Sequence, residues 1–169
     1  MRPEVILALA ALALSSTVLC ADPVSDCNDR TNVEQQIRGC TQVIWRSIDD
    51  ETLSVAYMNR GIAYAARREF SKALADLSSS LQADQENALA HYNRGNIFLD
   101  MRKYQQASTD LTRAIELDPD MALAYLNRGL ANEKLGKRDA SIADYRAAVK
   151  LDPDLLRASA GLKRLRASP

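Results

Sequence analysis

The side chains able to do chemistry are few, and they recur at fixed spacing. Asn59-Arg60-Gly61, Asn93-Arg94-Gly95 and Asn127-Arg128-Gly129 repeat one triplet at a step of 34 residues. Asp76, Asp110 and Asp144 repeat at the same step, each 16 residues after the arginine. A carboxamide both donates and accepts hydrogen bonds. A guanidinium and a carboxylate form an ion pair, worth about 0.2–1 kcal/mol when exposed. The first set therefore suits contact with peptide groups, the second a recurrent Arg–Asp bond between two helices. Acid–base and metal chemistry has little to work with. One histidine in 169 residues, His91, removes multi-histidine metal sites. It falls at an apolar-patterned helical position, which makes packing its expected role. No glycine-rich phosphate loop, paired histidines or nucleophile elbow is present. The reading is no enzyme, no metal and no cofactor.

The elements that must position these groups are helical. Glycine and proline total eleven, too few for a turn-rich all-β chain, and Ala, Leu, Arg, Glu, Lys and Gln dominate. Apolar spacing predicts a helix over 88–101, with Leu89, Tyr92, Ile97 and Phe98. It predicts another over 104–117, with Ala107, Leu111, Ala114 and Ile115. The two-residue link Arg102-Lys103 allows only an antiparallel hairpin, and Asp118-Pro119 stops the second helix. Each repeated glycine lies inside a first helix, where it costs up to ~1 kcal/mol against alanine. Close approach of the second helix, at Ala73 and Ala107, is the expected reason.

The first 21 residues read as an export leader. Arg2 precedes an apolar run from Val5 to Leu14, small residues follow, and cleavage is expected near residues 20–22. The longest apolar stretch, Val5 to Leu19, is short of the ~20 residues of a membrane span. No stable span is expected after cleavage. Lipidation at Cys20 is the lesser alternative, because bulky Leu19 precedes it. The predicted location is therefore periplasmic or secreted.

Zero net charge gives no overall footprint for nucleic acid. The charge is nevertheless uneven. Residues 22–53 carry seven acids and three bases, and residues 154–169 carry four bases and one acid.

A period of 34 with these markers resembles the tetratricopeptide repeat (TPR) family. The second unit carries His91, Gly95, Phe98, Ala107, Leu111, Ala114 and Pro119. The first carries Tyr57, Gly61, Tyr64, Ala73 and Leu77, but has Ser80 and Gln85 where alanine and proline are usual. The third carries Tyr125, Gly129, Tyr145, Ala148 and Pro153, but has Asn132 and Ser141 for the second aromatic and the alanine. The resemblance implies an all-α solenoid of antiparallel hairpins. Its repeats are placed at 54–87, 88–121 and 122–153, with a truncated leading hairpin over 22–53 and a capping helix over 154–169. Cys27 and Cys40 then fall in the tight helix-contact slots of the leading hairpin. In an exported protein a disulfide is expected there, worth about 2–3 kcal/mol; a redox pair or metal site are the alternatives. Small exported TPR proteins of Gram-negative bacteria are similar in these features.

The resemblance also implies that the concave face, lined by the first helices, binds an extended peptide or a partner's helix. The matching residues are Asn59, Asn93, Asn127, Asn96, Met58, Tyr92, Leu126, Ile62 and Leu130, with Val55, Leu89, Leu99 and Leu123 beside them. The asparagines could instead bond their own neighbours. One subfamily clamps a C-terminal carboxylate with basic residues. Asn96, Asn127 and Arg157 match it in part, but Met58, Tyr92 and Leu123 stand where lysines are needed. The expected function is an exported protein-interaction module. The alternative is a scaffold that self-associates weakly by stacking its acidic and basic ends.

Overall fold

The computed structural model describes residues 22–166. The expected leader, residues 1–21, which includes Cys20, lies outside the described residues. Nine helices fill this span: α1 Pro23–Asn28, α2 Val33–Arg46, α3 Asp50–Ala66, α4 Phe70–Ala83, α5 Ala88–Asp100, α6 Tyr104–Leu117, α7 Ala122–Lys134, α8 Arg138–Leu151 and α9 Leu156–Arg164. Consecutive helices pack as antiparallel hairpins, and each hairpin stacks on the next. This is the expected all-α solenoid, with α9 covering the last hairpin. No described helix is long and apolar enough to cross a membrane.

Local chemistry sets the helix ends. Asp22, Asn32, Asp49 and Asn87 each accept a backbone N–H from the first turn of α1, α2, α3 and α5, a bond that satisfies an otherwise orphan donor. The Asp49 cap starts α3 at Asp50, four residues before the repeat phase places its first unit. The turns within the hairpins use one device three times. Arg68, Arg102 and Gly136, 34 apart, adopt φ of 59°, 58° and 72°. The next residue's N–H reaches back to Tyr64, Phe98 or Asn132 at 2.8–2.9 Å. This is the left-handed helix stop of the Schellman type.

The core runs along the stack. Leu77, Leu111 and Tyr145 fill equivalent slots and are fully buried, beside Ala73, Ala107 and Ala148. The repeated glycines face them. A Cβ on Gly95 would sit 2.8 Å from Leu111 Cγ and 3.4 Å from the Ala107 carbonyl oxygen. The close neighbour is thus the bulky residue first, and the alanine backbone second. Gly95→Ala is expected to destabilise the protein by about 1–2 kcal/mol, because overpacking at a buried leucine outweighs the gain in helix propensity. A urea unfolding midpoint equal to or above wild type would contradict this.

Three of the departures from the family pattern, Ser80, Asn132 and Ser141, are satisfied by hydrogen bonds. Ser80 Oγ lies 3.1 Å from Ser54 Oγ, which accepts from Asn87 Nδ2. Ser141 donates to the Gly129 carbonyl, and Asn132 donates to Asp144. Cys27 and Cys40 are disulfide-bonded and buried, with Cα atoms 4.4 Å apart. Gly39 permits that approach: a Cβ there would lie 2.7 Å from the Cys27 amide nitrogen.

Candidate peptide-binding groove

The Arg–Asp pairs form in every full hairpin, as their spacing implies. Arg60 binds Asp76 through Nε and Nη2 at 2.7 and 2.9 Å. Arg94 binds Asp110 at 2.7 and 2.8 Å. Arg128 binds Asp144 through both nitrogens as well. All three carboxylates are buried, so the pairs are not surface contacts. Each guanidinium also donates to a hydroxyl of the preceding hairpin, Thr41, Ser78 or Thr112. The arginines therefore tie hairpin to hairpin, and they are spent on structure.

His91 belongs to this network rather than to apolar packing. Its Nδ1 lies 3.3 Å from Asp110, and its Nε2 lies 3.2 Å from the Gln85 carbonyl. Burial alone would raise the Asp110 pKa. The Arg94 and His91 hydrogen bonds outweigh burial and hold the carboxyl below its usual range.

The asparagines divide. Asn59 is buried, and its amide donates to Asn28 at 3.0 Å. Asn127 donates in the same way to Asn96 at 2.7 Å. Both acceptors come from the first helix of the preceding hairpin. At the middle step that slot holds Ile62, which cannot accept, so Asn93 turns to the Leu89 carbonyl of its own helix. Met58 and Leu126 are buried in the core. Asn59, Met58 and Leu126 are thus removed from the accessible face by packing. Asn93, Tyr92, Asn96, Asn127, Ile62 and Leu130 remain partly exposed.

The open face is lined by first helices and changes character along its length. Val55, Leu89 and Leu123, again 34 apart, are 42%, 50% and 47% exposed. Near the leading end, Val24, Val43 and Val55 line a hollow of about 240 Å³. Between α5, α7 and α9 lies a cavity of about 400 Å³, lined by Asn96, Leu99, Asp100, Arg102, Tyr104, Asn127, Leu130, Lys134 and Arg157. Its three cations face one acid. Among the described residues, Arg102, Lys134 and Arg157 make no ion pair. The Asn96–Asn127 bond leaves an amide donor on Asn96 and a carbonyl acceptor on Asn127. That is the complement of one peptide group.

Beside this cavity, α7, α8 and α9 are tied together through Glu133. Arg164 binds Glu133 through two nitrogens at 2.7 Å, and Tyr145 donates to the same carboxylate at 2.7 Å. Burial, then the Glu133 contact, pushes the Tyr145 phenol up to about 12. Sequence reasoning assigned no function to Arg102 or Lys134. Lys134 has Ala66 and Asp100 at the equivalent positions, and Arg102 has Arg68 and Gly136, so the basic pair belongs to no repeating set.

The sequence matches the tetratricopeptide repeat family over residues 58–100 and 92–155. The chain belongs to that family. No curated protein matches it. Among solved structures it is similar to the Arabidopsis OM64 TPR domain, with 32% identity, a TM-score of 0.67, and 69% of this chain and 97% of that chain covered. The second TPR domain of human RPAP3, solved in complex with HSP70 peptide SGPTIEEVD, is 27% identical at a TM-score of 0.67, covering 70% of this chain and 99% of that one. MamA shares the fold at a TM-score of 0.71 and 23% identity, covering 79% and 76%.

Proposed function

We propose that the protein is an exported, non-enzymatic interaction module that binds an extended segment along the face of α3, α5, α7 and α9. The cavity between α5, α7 and α9 carries this reading. It offers free cations, a free amide pair and two leucines, Leu99 and Leu130, at the end of an apolar ladder. A fitting segment has apolar residues toward Val55 and Leu89 and acidic residues toward Arg157. The RPAP3 complex with an acidic-ended peptide supports the mode of binding. The disulfide is compatible with an oxidising compartment, which supports export. Self-assembly is the second reading, favoured by the opposite charges of the two ends.

A peptide array tests the first reading. Binders are expected to combine apolar and acidic residues. Leu123→Glu is expected to weaken them about tenfold or more, or ~1.4 kcal/mol, while leaving thermal unfolding unchanged. Unaltered binding by that variant would overturn the groove.

A further inference from the structure

The two most exposed large apolar side chains stand together at one end of the molecule. Among the described residues, Trp45 at the end of α2 is 88% exposed and Ile48, on the turn to α3, is 99% exposed. Asp49, Asp50 and Glu51 follow them directly and are exposed. Asp49 is used as the cap of α3. Asp50 and Glu51 make no ion pair among the described residues. The segment is therefore an apolar pair beside two unpaired acids and one exposed cation, Arg46, with Asp49 adding a third acid, and its net charge is negative. A tryptophan in water leaves ~150–250 Å² of burial unused.

That chemistry is the complement of the cavity between α5, α7 and α9. We propose that the Trp45–Glu51 turn of one copy docks into this cavity of a second copy. Trp45 and Ile48 meet Leu99 and Leu130, and Asp50 and Glu51 meet Arg102, Lys134 and Arg157. The inference rests on the groove reading above and names its occupant. Donor and acceptor surfaces differ, so the contact is heterologous, and a pair of copies still offers one free cavity and one free turn. The charged part weakens as salt shortens the screening length.

Sedimentation velocity of the purified protein tests this across rising concentration, at about 50 and 500 mM salt. Wild type is expected to gain mass with concentration and to lose that gain in high salt. The double variant Trp45→Ala/Ile48→Ser and the single variant Lys134→Glu are each expected to stay monomeric. Mixed, they are expected to form a one-to-one dimer that grows no further, because one keeps the cavity and the other keeps the turn. All these side chains are exposed, and an unchanged melting temperature checks that the variants fold.

A monomeric wild type, or association that survives loss of Trp45 and Ile48, would overturn the inference. A fluorescein-labelled peptide spanning residues 44–52 separates the two claims. If wild type stays monomeric while array peptides still bind and Leu123→Glu abolishes them, self-docking falls and the groove stands. If Leu123→Glu leaves array binding intact and the labelled peptide fails to bind, both fall.

Discussion

Replacing Asp110 with alanine is expected to cost about 3–5 kcal/mol of folding stability. The carboxylate accepts two bonds from Arg94 and one from His91, and it is buried. Its removal leaves a largely buried guanidinium and a ring nitrogen without their carboxylate. A buried charge without its partner is the costly case, whereas replacing the pair together is not. Arg94→Met/Asp110→Leu should therefore recover most of the loss. Urea unfolding followed by circular dichroism reads both, and a loss below about 1 kcal/mol for Asp110→Ala would show the pair to be a surface contact. The same group predicts an acid limb. Its folded pKa lies below the unfolded value. Its stabilisation is thus complete above the unfolded pKa of about 3.9 and is lost as pH falls through the folded value. Asp110→Asn is expected to flatten that limb.

The second large effect belongs to the disulfide. The double variant Cys27→Ser/Cys40→Ser is expected to lose about 2–3 kcal/mol in the chain-entropy model. The damage should be local. Helix α1 has six residues, far below the ~12 at which an isolated helix holds in water. It is held by the Cys27–Cys40 bond, by Gln36 donating to the Cys27 carbonyl, and by the Asn59–Asn28 bond. Hydrogen exchange should accelerate in α1 and α2 and stay unchanged in α5–α9. Trp45 fluorescence is a poor probe, because that ring is already in water. Equal stability of the oxidised and reduced protein would contradict this account.

The sequence and the structure agree where one residue type carries the signal at a fixed step. The 34-residue period, the Arg–Asp bond and the hairpins were legible because their partners recur without change. The helix stops were not. The left-handed position is Arg68, Arg102 and then Gly136, and only the last looks like a stop in the sequence. The behaviour of each asparagine was open in the sequence for a related reason. Its behaviour depends on a second slot, held by Asn28, Ile62 and Asn96, and two of those three can accept a hydrogen bond. Two asparagines therefore bridge neighbouring hairpins, while the third folds onto its own helix. The basic cavity is the least legible part. Arg102, Lys134 and Arg157 come from a turn, a helix end and the cap, so no sequence period links them.

Photo-crosslinking in the native compartment tests the central claim most directly. A photoreactive phenylalanine analogue at Leu123 sits on the open face, and one at exposed Thr109 sits on helix α6 away from it. The account predicts discrete adducts from position 123, lost when Arg157→Glu is added, and none from position 109. Adducts from position 109 alone, or from both positions equally, would contradict binding along the first-helix face.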